Sequence, residues 1–403
     1  MIVLLGSLAL AQEPLLVGRP QAAGDSADLT VWSAFDGASL DWLASQLDIW
    51  GRATGQSIEI AVWSVGELRQ RVVLDSELGT AADIFVGVPH DSIAELVAEG
   101  LLADVSSFAT ADYLSDLPEQ AALAFASDGM LLGLPLALEG PALIVNTDRA
   151  RELPGTYDDL IRLAAAYNSG GNSGFMFDVD NFYFSYAWLR SFGGWLFGRD
   201  AVGNHDLDDI GLASPGAFEG AKALRDLRFV HSLLPERIDY AGVRERFAAG
   251  QLAFVYDGPW SVAMYFAAGV PLLVVPMPEV ASGQPWRGFM SVTGVLVNAH
   301  TQDMIGAANA AKWLVREDAQ IELAREAGRI PASMSAVDAI RDDELLHGFG
   351  MALRVAEAVP NAPNMPRLWQ PLGEALLDLT SRPLSDSEVL GLLEQLVETI
   401  RVR

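Results

Sequence analysis

The chain has 403 residues, enough for about two or three domains, and its 51% hydrophobic content is ample for packed cores. Its 26 basic and 53 acidic side chains leave a formal charge of −27, which argues against a nucleic-acid partner and against docking on anionic lipid. It has no cysteine, which excludes disulfides, thiolate chemistry, cysteine-bound zinc and lipid attachment to a cysteine.

The first predicted element is an apolar run over residues 2–10 that ends in Ala9-Leu10-Ala11, a small-residue cleavage signal. It is too short to span a bilayer, and no basic residue precedes it. We expect residues 1–11 to be a truncated signal peptide, with a plain hydrophobic tail as the alternative. Residues 12–27, rich in proline and glycine, predict a flexible lead-in. The protein is therefore expected in the periplasm or otherwise outside the cytoplasm, secreted and without a lipid anchor.

The next segment alternates between strand and helix patterns. The predicted strands are 29–32, 57–63 and 84–88, and the predicted helices are 40–54, 68–78 and 93–99. This β-α-β-α order predicts a largely parallel sheet covered by helices.

A lone carboxylate then separates two apolar runs. Residues 131–138 read as a strand that stops at Glu139, Gly140 and Pro141 break the pattern, and residues 142–145 read as a second strand. A carboxylate between two buried strands has a desolvation cost and needs partners from outside its own strand. A position at the mouth of a cleft, facing hydroxyl donors, would supply them.

The rest of the chain is mainly helical. Helices are predicted over 181–191, 217–230 and 240–249, strands over 252–256 and 293–298, and helices through nearly all of the last hundred residues. Ser385 and Glu388 form a capping box that starts the final helix. No long linker separates two continuous domains, which favours lobes built from interleaved segments.

Six segments resemble, in order, the periplasmic solute-binding proteins of ABC transporters, in particular the maltose and maltodextrin branch. They are residues 28–33 (DLTVWS), 83–104, 134–148 with Glu139 and Asn146-Thr147-Asp148, 175–194, 257–260 (DGPW) and 360–369 (PNAPNMPRLW). The resemblance covers roughly residues 28–400.

The resemblance implies a two-lobed α/β periplasmic-binding-protein fold. Each lobe is expected to be a mixed, mostly parallel sheet flanked by helices, with the ligand cleft between the lobes. The implied segments are 28–138 and 293–336 for the N-lobe, and 139–292 and 337–403 for the C-lobe.

The resemblance also implies the function. The protein is expected to bind maltose, maltodextrin or a related oligosaccharide by hinge closure and to deliver it to the membrane permease subunits of an ABC importer. It is expected to be a monomer and not an enzyme, with no cofactor, no metal and no nucleic-acid partner.

Three aromatic residues match the stacking positions of the family. Flat rings cover the apolar faces of pyranose rings at a low entropic cost. Trp260, Tyr183 and Trp369 are the candidates, and core packing is the alternative for each. Phe184 and Tyr186, close to Tyr183, are expected to be structural.

Three carboxylates are candidates for the sugar hydroxyls, which a charged acceptor binds strongly. Glu139 is the first candidate. Alternatively, it is a structural acid in a hinge strand whose oxygens accept hydrogen bonds from backbone donors. Asp91 is the second, and it is equally explained as a helix cap. Asp36 follows a strand, at the edge where open α/β sheets bind ligands, or it is a turn residue beside Gly37. His90 reads as a loop histidine.

The sequence departs from the maltose branch where Gly37 follows Asp36 and Ser92 follows Asp91, because that branch has basic residues there. Other solutes of the same fold, such as glycerol phosphate, therefore remain open. A glycoside hydrolase using Glu139 and Asp91 is a second alternative, and a sensory binding subunit is a third. No hydrolase, metalloprotease, P-loop or dinucleotide motif is present.

Overall fold

The computed structural model describes residues 15–17, 27–170, 172–200, 203–236, 238–281 and 283–402. The predicted signal segment, residues 1–11, lies outside the described residues. The strands are β1 (Leu15–Val17), β2 (Leu29–Ser33), β3 (Ile58–Val62), β4 (Ile84–Pro89), β5 (Ala126–Ser127), β6 (Met130–Leu131), β7 (Leu134–Glu139), β8 (Ala142–Asn146), β9 (Ser173–Met176), β10 (Gly198–Arg199), β11 (His205–Asp206), β12 (Leu252–Asp257), β13 (Leu272–Val275), β14 (Phe289–Val297), β15 (Ile330–Pro331) and β16 (Glu357–Ala358).

Helices cover most of the sequence between and after these strands. They are α1 (Gly37–Thr54), α2 (Val65–Glu77), α3 (Ala94–Ala98), α4 (Ala111–Ser115), α5 (Glu119–Leu123), α6 (Tyr157–Tyr167), α7 (Phe182–Ser191), α8 (Pro215–Phe229), α9 (Tyr240–Ala248), α10 (Val262–Ala267), α11 (Met304–Leu314), α12 (Glu317–Ala327), α13 (Met334–Ala339), α14 (Glu344–Leu353), α15 (Met365–Ser381) and α16 (Asp386–Arg401). Single 3₁₀ turns span His90–Ser92 and Pro259–Ser261. Among the described residues, no helix combines the length and the apolar character needed to cross a membrane.

Two larger sheets form the cores of two lobes. The first has the strand order β1-β3-β2-β4-β14-β7-β15, with β16 also paired to β14, and the second has the order β13-β8-β12-β9. Both are mixed sheets, as predicted. Parallel pairing joins β2 to β3 and β4, β12 to β9 and β14 to β16, while the other pairs of both sheets are antiparallel.

The expectation of mostly parallel sheets is therefore wrong, and the reason is the path of the chain. The segments β2-α1-β3-α2-β4 are joined by helical crossovers, which return each strand in the same direction. β14 instead arrives from the second lobe and enters the first sheet from the opposite end. It therefore runs antiparallel to both of its long neighbours, β4 and β7.

The chain passes between the lobes several times. It leaves the first sheet after Glu139, enters the second at Ala142 and rejoins the first with β14, which begins at Phe289. Helix α13 packs against α12 and β15 of the first lobe, and α14 packs against β13 of the second. By sheet membership the chain rejoins the first lobe before β14, and by these contacts it passes toward the second lobe after α13.

The predicted flexible lead-in contains an ordered strand. β1, inside residues 12–27, pairs antiparallel with β3, matching Leu15 to Val62 and Val17 to Ile60. β1 therefore supplies backbone hydrogen bonds to what would otherwise be a free sheet edge.

A β-bulge at Gly87 determines which way the end of β4 faces. Val86 lies opposite Val295 and Val88 lies opposite Gly294, so Gly87 is an extra residue without a partner in β14. Its φ is +81°, a left-handed conformation that favours glycine. Because a one-residue slip turns the following side chains to the other face, the bulge sets the face of the residues after β4.

Gly87→Ala is expected to lower the free energy of unfolding by roughly 2–4 kcal/mol. A Cβ at this position would lie 2.7 Å from the Phe35 ring, so a steric clash adds to the left-handed strain. The matched control is Gly55→Ala, because Gly55 has a φ of +80° with nothing within 4 Å of its added Cβ. The control should lose only about 1 kcal/mol in urea denaturation. Equal losses for the two variants would contradict the clash with Phe35.

Candidate functional site

The site lies at one edge of the first sheet, where several strands end. β2 and β4 are parallel, and β4 and β7 run the same way because both are antiparallel to β14. Their carboxyl ends therefore meet at a single edge. Asp36, Asp91 and Glu139, the three predicted carboxylates, lie at or just after these strand ends.

Four side chains form a row across this edge, which we call the cleft row: Asp91, Ser291, Glu139 and Arg329. Ser291 is the cross-strand partner of Glu139, and the Ser291 hydroxyl donates to Asp91 Oδ1 at 3.4 Å. The register that pairs Ile330 with Leu138 brings Arg329 level with Glu139 on the other side. Neighbours in such a row share a face of the sheet and interact directly.

Glu139 is half-buried, and its environment changes its acidity. Burial raises the pKa of this carboxyl, the negative charge of Asp91 raises the pKa further, and the nearby Arg329 guanidinium lowers it. Arg329 thus offsets part of the cost of placing two carboxylates near each other. The result is a partly desolvated acceptor with spare lone pairs, which suits hydroxyl donors.

Sequence reasoning missed Arg329. Its Nε donates to Ser39 Oγ at 3.2 Å, and its guanidinium carbon lies 5.4 Å from the centre of the Phe35 ring. These contacts hold the cation between the start of α1 and the cleft row. No local motif surrounds it, since it simply precedes the two-residue strand β15, so only the pairing of β15 with β7 reveals its position.

Asp36 lies at the same edge but outside the cleft row. It is exposed, occupies the position before α1 and makes no side-chain hydrogen bond to the helix. Its neighbour Phe35 packs near Arg329, which places Asp36 beside the row.

Asp91 belongs to the 3₁₀ turn after β4, and it does not cap α3, whose N-cap is Ile93. His90, expected in a loop, is instead buried. Its Nδ1 accepts from the Val292 backbone N–H at 3.0 Å, and its Nε2 lies 2.8 Å from the Val359 carbonyl. Nε2 must therefore donate, and burial lowers the pKa of this imidazole, which keeps it neutral. His90 ties the turn that carries Asp91 to β14.

The aromatic half of the site meets the acidic half at Tyr183. This half-buried residue in the first turn of α7 lies 6.3 Å from Trp260 and 6.1 Å from Phe289, measured between ring centres. Its pKa is raised well above the usual value by burial and by the negative charges of Glu139 and Asp91. Tyr183 therefore lies near enough to both of these predicted carboxylates for their charges to affect it.

Trp260 is the most exposed of the three candidate rings, with 38% of its surface accessible. It belongs to the 3₁₀ turn after β12, directly after Pro259, the first residue of that turn. Its Nε1 donates to the hydroxyl of Tyr240, a residue that sequence reasoning missed. One face of the indole is therefore available to a ligand while its edge is held.

Trp369 is separated from Tyr183 by the ring of Phe289. It is half-buried near the start of α15, and its ring centre lies 6.5 Å from Phe182 and 6.4 Å from Phe289. Phe289, buried at the start of β14, contacts both Tyr183 and Trp369 and so joins the predicted rings. Phe184 and Tyr186 are buried, and Tyr186 donates to Glu357 Oε1 at 2.6 Å, in keeping with structural roles.

The site therefore combines charged acceptors with aromatic faces. Such a pair of surfaces suits a polyhydroxylated ligand with apolar faces. Within the described ranges, no group of three or more histidine or acidic side chains is arranged to hold a metal ion.

Comparisons with known proteins agree with this geometry. Residues 50–347 match the sequence profile of the bacterial extracellular solute-binding proteins. A galactooligosaccharide-binding protein of Bacillus subtilis (strain 168) is 26% identical over 336 residues, which cover 81% of this chain and 78% of the relative.

Solved structures extend the likeness to nearly the whole chain. The maltotriose-binding protein of Thermus thermophilus, solved with maltotriose, is 34% identical, with a TM-score of 0.70 over 93% of this chain and 99% of that one. A cyclo/maltodextrin-binding protein solved with maltotetraose is 26% identical, with a TM-score of 0.84 over 94% and 98%. From the profile match and this coverage together, the chain belongs to the family of bacterial extracellular solute-binding proteins.

Proposed function

We propose that this protein is the extracytoplasmic binding subunit of an ABC importer for maltose, maltodextrin or a closely related oligosaccharide. The observation that carries the proposal is that Tyr183, whose pKa is raised by the nearby charges of Glu139 and Asp91, lies 6.3 Å from the exposed Trp260 ring. The names of relatives that bind maltotriose, maltodextrin and galactooligosaccharide support the same class of ligand.

The aromatic surface and the carboxylates would contact different parts of the sugar. Trp260 and Tyr183 would cover the apolar faces of pyranose rings, and Trp369 would extend this aromatic surface. Glu139, Asp91 and Asp36 would accept hydrogen bonds from sugar hydroxyls. Exclusion of water strengthens each of these charged hydrogen bonds.

Closure of the lobes would be the step that communicates binding. The carboxylates lie on the first lobe and the aromatic rings on the second, so a ligand that contacts both sets favours the closed form. We assign the segments 28–138 and 293–336 to the first lobe and 139–292 and 337–403 to the second, with the passages adjusted to the bounds of β7, which keeps Glu139 on the first lobe, and of β14 and α13. Permease subunits would recognise the closed monomer.

Transport fits better than either alternative. Glycerol phosphate calls for unpaired cations, whereas Arg329, the cation of the cleft row, lies level with Glu139. A hydrolase would use Glu139 and Asp91 as its acid and base. The family is one of binding proteins, and we infer that the chain does not cleave its ligand.

The proposal is tested with maltotriose in calorimetry, chromatography and small-angle scattering. We expect saturable binding, recovery of intact maltotriose after long incubation, and a smaller radius of gyration in the complex because the lobes close. A sugar that does not bind should leave the scattering curve unchanged. Hydrolysed maltotriose would favour the enzyme, and tight binding without compaction would contradict closure.

Glu139→Gln is expected to weaken maltotriose binding by roughly 1.5–3 kcal/mol, because the amide replaces a charged acceptor oxygen with a donor. The affinity of the wild-type protein should also fall as the pH is lowered, because protonation removes the charged acceptor. Since the pKa of Glu139 is raised, this loss should begin at a higher pH than for an ordinary glutamate. The control is Glu152→Gln, an exposed acid on the second lobe paired with Arg162. A lower melting temperature with unchanged affinity would make Glu139 structural.

Trp260→Ala should lose on the order of 2 kcal/mol of binding in calorimetry, as buried aromatic anchors do, with folding largely intact. Trp195→Ala is the matched control, because Trp195 is a half-buried tryptophan of the same lobe whose Nε1 donates to Asp209 instead of facing the cleft. Unchanged affinity of the Trp260 variant would remove this ring from the site.

A further inference from the structure

A buried carboxylate that sugar binding does not use lies beneath the Trp260 ring. Asp257, the last residue of β12, is only 1% exposed. Its Oδ1 accepts from the Tyr240 hydroxyl at 2.9 Å and from the Gly258 backbone N–H at 2.8 Å, and its Oδ2 accepts from the Tyr265 hydroxyl at 2.6 Å. Burial raises the pKa of this carboxyl, and the hydrogen bonds from these three donors oppose that rise.

The Tyr240 hydroxyl is the next link, and its hydrogen bonds have a fixed direction. A tyrosine hydroxyl has one hydrogen and two lone pairs. Because Asp257 Oδ1 already accepts from the Gly258 backbone N–H, it acts as an acceptor, and the hydrogen of Tyr240 points to it. The lone pairs then face the Trp260 Nε1–H and the Ser261 hydroxyl, which lies 2.9 Å away.

Gly258 fixes the ring from below. A Cβ on Gly258 would lie 2.2 Å from the far edge of the Trp260 indole, so the ring rests directly on the glycine backbone. The indole is therefore held at its edge by Tyr240 and at one face by Gly258. Although Trp260 is exposed, its orientation is set before any ligand arrives.

We propose that Asp257 and Tyr240 are positioning residues that hold Trp260 in the orientation required to stack on a sugar ring, an inference that rests on the proposed sugar-binding function. The relay runs from the Asp257 carboxylate through the Tyr240 hydroxyl to the indole N–H. Fixing the ring in advance lowers the entropy lost on binding, which raises affinity without any new contact to the ligand.

The direction of the relay gives it a specific sensitivity. Asp257→Asn keeps a carbonyl oxygen for Tyr240 and Gly258 and places its amide nitrogen toward Tyr265, so it changes the network away from Trp260. Tyr240→Phe removes the oxygen that accepts from the Trp260 indole N–H and leaves the Asp257 side chain in place. Since the first variant also weakens a buried network, Tyr240→Phe is the deciding one.

The first test needs no ligand. In ¹⁵N-labelled protein, Tyr240→Phe should speed hydrogen exchange of the Trp260 indole N–H by roughly tenfold, because its acceptor is lost. The matched control is Tyr157→Phe, since the buried Tyr157 hydroxyl accepts from Trp188 Nε1 at 3.0 Å in the core of the same lobe. The control should speed hydrogen exchange of the Trp188 indole N–H and leave that of Trp260 unchanged.

The second test measures maltotriose affinity in a double-mutant cycle. Tyr240→Phe should weaken binding by about fivefold in the wild-type background and by less than about twofold when Trp260 is replaced by Phe, which has no indole N–H. Tyr157→Phe should lower the melting temperature and leave affinity unchanged.

The outcomes separate the two proposals. The relay is supported if Tyr240→Phe speeds exchange at Trp260 and weakens binding in the protein that has Trp260 but not in the Trp260→Phe protein. Unchanged exchange, or an equal affinity loss in both backgrounds, overturns it. If exchange responds as expected but the wild-type protein binds no maltotriose, the relay stands and the proposed ligand fails.

Discussion

The structure depends on the partial burial of one carboxylate at the point where the chain leaves its first sheet. Glu139 ends β7, and β8 of the second sheet begins at Ala142. A carboxylate here loses solvation, and the nearby Asp91 makes its ionisation harder still. Arg329, level with it on the far side of β7, offsets part of that cost and leaves acceptor capacity for a ligand. Because the same residue marks a passage between the lobes, a ligand bound to it touches the hinge directly.

The strand β14 joins this acidic row to the aromatic half of the site. Its residue Ser291 sits between Asp91 and Glu139, while Phe289, two residues earlier, packs against Tyr183 and Trp369. Both surfaces are therefore attached to one rigid element, whose position is also held by the buried His90. The Trp260 ring is oriented separately, through Tyr240 and Asp257. The site is thus supported from the hinge and from within the second lobe.

Much of the fold follows from local patterns. Apolar runs locate β2, β4, β8 and β12, and the capping box at Ser385 starts α16 as predicted. Strand direction was less accessible, because the expected parallel order holds only where helical crossovers connect successive strands. Whether β14 runs parallel or antiparallel depends on which end of the sheet a distant segment enters, and no residue within β14 records that.

For the site, the sequence by itself determined which side chains are unusual where they stand: a carboxylate between two apolar strands, an aromatic cluster near Tyr183, and a tryptophan after a Gly-Pro turn. These are local conflicts between polarity and burial, which a sequence displays directly. Only the tertiary structure decided that Arg329 lies level with Glu139, that His90 is buried and neutral, and that Tyr240 and Asp257 lie beneath Trp260. Each of these depends on strand register or packing between segments far apart in the chain, for which the local sequence carries no signal.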